Sequence, residues 1–350
     1  MYIQSDLENK IYKISKRNFL DDYVHYTSNE VDMTLSGKYL YKYPKFTIDY
    51  SHFSKYPTHN IVKDLIETIK LSQNLKKKEV IVGTGANGIL QNIVKVLFNK
   101  GGNLVTPYLT FNQPEYAVSS MGGVTKRVFM ASDGNISIEN IVKSVDEKTK
   151  MVYLCNPNNP TGILINMEEI NYIANSVKAY VVVDESAIEF SEGKGASEME
   201  SKDNIIIVKS LSKAYGIANL RVGYMICSEE FKKMYEENIT VNEVSGISCL
   251  YAKKVLLSNN YKQNVRLIIK ERKNIEKKLG KLGLEFYKSQ SNILFSKKEL
   301  NEDIIEKFNK SGISVMFVKD EQDKLHFRIA VQDKKTNKVF IKRCKNLIKE

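Results

Sequence analysis

From residue 79 to about 228, short β-rich apolar runs alternate with longer amphipathic stretches. That alternation predicts a mainly parallel sheet covered by helices. The predicted strands are 79–82, 103–105, 124–129, 151–154, 180–183, 205–208 and 221–227. Ahead of them, Ile61, Leu65, Ile66 and Ile69 recur at helical spacing, so residues 60–75 read as an amphipathic helix. Residues 242–281 hold few helix breakers and read as long helix leading out of the sheet. The remainder mixes strands (291–296, 313–317, 325–331) with helices (302–310, 335–348), an α+β pattern. The expected architecture is α/β: a large doubly wound domain over 46–250, with an N-terminal arm (1–45) and a smaller α+β domain (251–350). No internal repeat or low-complexity linker interrupts it.

Composition agrees with this picture. A chain of 350 residues fits about two domains, at roughly 100–200 residues each. Hydrophobic residues at 42% and charged residues at 27% are the balance of a soluble globular protein. No apolar run approaches the roughly 20 residues of a membrane span. The first residues lack the apolar core of a signal peptide, so a cytoplasmic location is expected. The net charge of +12 is spread by interleaving lysines with glutamates, and the longest run, Lys76 to Lys78, has no aromatic neighbours. This predicts a solvated surface rather than a nucleic-acid stripe, and it suits an anionic small-molecule substrate. Cys155, Cys227, Cys249 and Cys344 show neither CxxC nor Cys/His metal spacing, so reduced core thiols and no metal centre are expected.

Chemistry enters at the ends of the predicted strands. Gly83-Thr84-Gly85-Ala86-Asn87-Gly88 follows a strand and opens a helix, where backbone N–H groups and the helix dipole cradle a phosphate. The segment also satisfies GxGxxG. A dinucleotide site, however, needs an acidic residue about 20 positions on. None occurs between Gly88 and Glu115, so a phosphate site for another cofactor is the better reading. Cys155 to Gly162, with two prolines and three asparagines, and Asp184-Glu185 both fall at strand ends where open α/β sheets place ligands. The first would also serve as an ordinary turn, and Asp184 as a helix cap. Lys213 ends a Ser-x-Ser-Lys turn after a strand, and eight residues later Arg221 precedes another apolar strand.

With these segments in place, the chain resembles fold-type I pyridoxal-phosphate enzymes of the aspartate-aminotransferase-like fold, and within them the histidinol-phosphate aminotransferase group. The likeness runs from about Asn29 to Val331. It rests on Asn29-Glu30, Tyr56-Pro57, Gly85-Ala86-Asn87, Asn156-Pro-Asn-Asn-Pro-Thr-Gly162, Asp184-Glu185, Ser210-x-Ser212-Lys213 with Arg221, and Phe327-Arg328-Ile329, in order and spacing. The resemblance implies pyridoxal 5′-phosphate held on Lys213 as a Schiff base, with the same lysine moving a proton between Cα and the cofactor. It implies Asp184 at the pyridinium nitrogen and Asn159 at the 3′ oxygen. Arg221, Ser210, Ser212, Gly85, Ala86 and Asn87 would hold the phosphate, and Phe111 would stack on the ring where the group usually has tyrosine. Arg328 would take the substrate carboxylate, with Asn29 also on the substrate side. Tyr56 would reach the cofactor phosphate of a neighbouring subunit, implying a homodimer with shared active sites.

Some positions depart from the group's pattern. Ala187 stands where a tyrosine supplies a phenol to the 3′ oxygen, Asn87 replaces a common aspartate and Asn219 a common glycine. Met316 occupies the place of an arginine that grips the substrate phosphate. The expected activity is therefore amino transfer between a small, anionic amine or amino acid, phosphorylated or not, and a 2-oxo acid. One alternative is decarboxylation of a phosphorylated amino acid, which the missing N-terminal His-Gly-Gly segment disfavours. Another is a non-catalytic ligand-binding protein on the same fold, which the retained lysine disfavours. Tyr23, His25, Tyr26, Lys319 and His326 are further candidates for substrate contact.

Overall fold

The computed structural model describes residues 31–34, 42–75, 78–131, 133–198, 202–239 and 243–347. Its first half runs through β1 (Val31–Asp32), α1 (His59–Ser72), β2 (Glu79–Gly83), α2 (Gly85–Leu97), β3 (Asn103–Pro107), α3 (Gln113–Ser120), β4 (Val124–Val128), α4 (Ile138–Ser144), β5 (Thr149–Cys155) and α5 (Met167–Ser176). Then come β6 (Tyr180–Asp184), β7 (Ile205–Ser210), β8 (Gly223–Cys227), α6 (Glu229–Asn238), α7 (Gly246–Ser258) and α8 (Tyr261–Gly280). The last part holds β9 (Ile293–Phe295), α9 (Asp303–Lys310), β10 (Ile313–Ser314), β11 (Met316–Lys319), β12 (Leu325–Ala330) and α10 (Lys334–Leu347).

Strands β3, β7 and β8 bury every residue, which a strand can do only when both sheet faces are covered. They belong to a seven-stranded sheet in the order β2-β8-β7-β6-β5-β3-β4. The sheet is parallel except at β8, which runs antiparallel to both β2 and β7. Alternation along each strand divides the core into two layers. Met151, Tyr153, Cys155, Val182, Ile206 and Val208 meet Ile89, Leu90 and Ile93 of α2 on one face. Val152, Leu154, Val181, Val183, Ile205 and Ile207 join the larger cluster on the other. Local signals fix helix starts: Asn166 and Glu169 form a reciprocal capping box at α5, and Ser228 caps α6.

Three antiparallel strands, β11-β12-β9, form a second sheet, and β1 pairs in parallel with β10. One face of the second sheet is core, where the rings of Phe317 and Phe327 pack on Phe308. The other face carries Met316 directly opposite Arg328.

All seven strands expected between 79 and 228 are present. Three expectations change. The single helix over 242–281 is two helices, α7 and α8, parted at Asn259, whose φ of 54° is left-handed. Asparagine tolerates that conformation and ends helices there. The strand over 313–317 divides in two, because β10 hydrogen-bonds to β1 while β11 turns to β12. The strand expected from Arg221 starts at Gly223, since Arg221 itself is left-handed with φ 52°. Among the described residues no helix is long and apolar enough to cross a membrane.

Candidate active site

The carboxyl ends of the parallel strands meet at one edge of the large sheet, the usual place for a ligand in such folds. Gly83, Gly223 and Ser210 lie side by side there in the register of β2, β8 and β7. The approach of α2 to this row requires glycine. A Cβ on Gly223 would fall 2.7 Å from the Ala86 amide nitrogen and 2.8 Å from the Lys209 carbonyl oxygen. Thr84, at the N-cap, makes no side-chain cap bond to the first turn of α2. Those amides and the helix dipole therefore face the edge, a ready anion site. Arg221 closes it: a Cβ on Gly85 would sit 2.7 Å from Arg221 Nη2. The Arg221 backbone turn also lets Nη1 donate to the Ala218 carbonyl at 3.2 Å. Asn87 Oδ1 is buried with no hydrogen-bond partner among the described residues.

Gly85 has a φ of 73°, which costs an L-residue about 1–2 kcal/mol. Gly85→Ala is thus expected to lose at least that stability in urea denaturation, and to weaken phosphate binding by displacing the guanidinium. An unchanged midpoint with unchanged phosphate affinity would contradict the close approach.

Asp184 ends β6 beside Cys155 of β5. Its Oδ1 accepts from the Ser186 amide at 3.0 Å and from the Ser186 hydroxyl, and its Oδ2 accepts from the Tyr153 hydroxyl at 3.0 Å. The Ser186 contacts resemble a local cap; the Tyr153 bond, from another strand, exceeds one. Burial first, then the Asp184 charge, pushes the Tyr153 phenol well above its ordinary range, so it remains a neutral donor. The Cys155 thiol is pushed up to about 12 by burial and by Asp184, opposed by the positive charge of Lys213, which lies within electrostatic reach. Lys213 is half-buried in the turn after β7, where its carbonyl accepts from the Gly216 amide at 3.2 Å. Ser210 Oγ accepts from the Ser212 amide at 3.1 Å in the same turn.

The three asparagines of the proline-rich turn separate by their bonds. Asn156 is held on both sides by the Ile165 backbone, and Asn158 is used up by Leu109, Thr110 and Thr161. Asn159 accepts from Arg328 Nη1 at 3.0 Å through Oδ1, which turns its amide N–H groups elsewhere. Arg328 also donates from Nη2 to the Thr34 carbonyl, while its buried Nε has no partner among the described residues. Burial lowers the Arg328 guanidinium to about 10, so it is still cationic at neutral pH. Phe111, half-buried, packs on the core layer that contains Tyr153.

Gly85, Ala86, Ser210 and Arg221 thus gather at one end of the site, Lys213, Cys155 and Asp184 beside them, and Asn159 with Arg328 form a third bonded group. Tyr56 stands outside the cluster, with 93% of its surface exposed. Asn29, Tyr23, His25 and Tyr26 lie outside the described residues. Two further candidates for substrate contact are held by other partners. His326 is buried, its ring bonded to the Ser296 carbonyl and to Asp320, and Lys319 pairs with Glu302 and Asp323. The first is a packing residue, and the second is an exposed lysine in surface ion pairs. Sequence reasoning missed Tyr153, Ser186 and Thr34. The available signal was the position of Tyr153 two residues before Cys155, on the strand face that Asp184 shares across the register.

The family profile of aminotransferase class I and II matches residues 39–343. The chain is 31% identical over 272 residues to a histidinol-phosphate aminotransferase of Thermoanaerobacter sp. (strain X514), covering 77% of this chain and 78% of that one. Its fold is similar to the crystal structure of histidinol-phosphate aminotransferase from Sinorhizobium meliloti in complex with pyridoxal-5′-phosphate. There the TM-score is 0.79 at 20% identity, over 92% of this chain and 91% of that one. It is also similar to L-threonine-O-3-phosphate decarboxylase from Porphyromonas gingivalis, with TM-score 0.72 at 20% identity, over 91% of this chain and all (100%) of that one.

Proposed function

The chain belongs to the class I and II aminotransferase family, and from that premise we propose that it exchanges an amino group between a small anionic amino donor and a 2-oxo acid, with Lys213 carrying the cofactor. Pyridoxal phosphate is the cofactor of this family, and the residues fit it. The uncapped first turn of α2, the glycine row and Arg221 suit its phosphate. Asp184 supplies a buried carboxylate for a ring N–H, and Asn159 retains amide donors for the ring oxygen. The observation that carries the reading is the meeting of Lys213, Asp184 and the Arg221–Gly85 contact at one sheet edge.

Bound there, the cofactor supplies an electron sink for the pair left at the donor's Cα. The chain's own residues do the rest. Lys213 anchors the group covalently and then takes the Cα proton as general base. Ser210, Ser212, Ala86 and Arg221 hold the phosphate, Phe111 covers the ring face, and Asp184 keeps the ring nitrogen protonated. Arg328, its Nε still open, takes the donor's anionic group. Exposed Tyr56 completes the site of a second copy, making the enzyme a homodimer with shared sites. The four buried free thiols suit a reducing compartment, the cytoplasm.

Adding L-glutamate to cofactor-loaded protein should bleach the visible absorbance and release one equivalent of 2-oxoglutarate. CO₂ release from a phosphorylated amino acid, with no amino donor producing bleaching, would replace transfer by decarboxylation. Met316 decides preference among donors, because it lies opposite Arg328 where a second cation would meet a phosphate. Met316→Arg is expected to raise kcat/KM for phosphorylated donors about tenfold or more relative to carboxylates, the worth of one charge-assisted hydrogen bond. An unchanged ratio would remove Met316 from the substrate site.

A further inference from the structure

The donors around Asp184 make a clamp. A carboxylate offers about four lone-pair directions. The Ser186 amide and hydroxyl occupy Oδ1, and the Tyr153 hydroxyl occupies one direction of Oδ2. The open acceptor direction therefore belongs to Oδ2, and the carboxylate cannot rotate without breaking bonds to two chain segments. The reach is set by the sheet. Tyr153 lies two residues before Cys155, the register partner of Asp184, so its side chain spans about 7 Å along the strand face to the carboxylate. All of Tyr153, Asp184 and Ser186 are buried, where competing water is excluded. The nearby titratable groups are Tyr153 and Cys155 on β5 and Lys213 in the turn after β7. Glu185 and Glu189 instead pair with Lys209.

We propose that Tyr153, together with the Ser186 hydroxyl, is a positioning residue that aims Asp184 and thereby sets the protonation of the cofactor's ring nitrogen. The inference rests on the pyridoxal-phosphate reading of the site. Tyr153 touches neither cofactor nor substrate; it acts through the carboxylate. Ser186 reinforces it next to Ala187, the position from which no phenol reaches the ring, so the tuning of this site is concentrated at the nitrogen end.

The test uses full-length protein loaded with pyridoxal phosphate labelled with ¹⁵N in the ring, whose chemical shift reports the nitrogen's protonation directly. Wild type should show a protonated nitrogen from about pH 6 to pH 9. Tyr153→Phe and Ser186→Ala should each bring part of the signal toward the deprotonated position at the upper end of that range, and the double variant more. Cofactor affinity of the apoprotein should fall about tenfold in Tyr153→Phe, the loss of one hydrogen bond to a charged group. Ser186→Ala retains the backbone donor and guards against a folding failure, which thermal melts of both apoproteins would reveal. Wild-type shifts in the folded double variant would overturn the clamp. Failure of wild type to take up the cofactor would instead overturn the reading beneath it.

Discussion

Lys213→Ala is expected to lower turnover by about 10⁴-fold or more while the protein stays folded. A positioned general base alone contributes about 10²–10⁴-fold, and the same substitution removes the covalent anchor. Folding should survive, because the turn is held by backbone bonds, Gly216 to the Lys213 carbonyl and Leu211 to Val222, that need no side chain at 213. Steady-state kinetics and a thermal melt of the same preparation measure both halves. Turnover within tenfold of wild type would assign the chemistry to another residue.

Asp184→Asn should cost about 10²–10³-fold in kcat, the scale of removing one preorganised electrostatic partner. It should also destabilise the apoprotein, which Lys213→Ala should not. The amide NH₂ would turn a donor toward Ser186 or Tyr153, and a buried unsatisfied donor costs about 1–3 kcal/mol. A chemical denaturation curve without cofactor isolates that part. Full stability of the variant would mean that the three bonds to Asp184 do not hold in solution, and full activity would mean that the ring nitrogen does not depend on it.

The sheet was legible in the sequence because its strands are short apolar runs between clear turns, as in Tyr180-Val-Val-Val-Asp184 and Ile205-Ile-Ile-Val208. The helix break at Asn259 was not. A pair of asparagines inside a lysine-rich amphipathic stretch looks like exposed helix surface until the backbone is seen in the left-handed region. The division of the strand expected over 313–317 was equally hidden, since β1, the partner of two-residue β10, lies far away in sequence. In the site, turn chemistry and order along the chain singled out Lys213, Asp184, Arg221 and the glycine turn. Tyr153 escaped because a tyrosine in an apolar strand reads as core packing, which most of its ring performs. His326 was over-read for the opposite reason. A polar ring on the strand of Arg328 looks available, yet both its nitrogens are taken, by Ser296 and Asp320.

Borohydride reduction of the cofactor-loaded protein, followed by proteolysis and mass spectrometry of the labelled peptide, bears most directly on the central assignment. One phosphopyridoxyl label is expected, on the peptide containing Ser210-Leu-Ser-Lys213, and none in Lys213→Ala. A label on another lysine, or a protein that binds the cofactor and yields no reduced adduct, would contradict it.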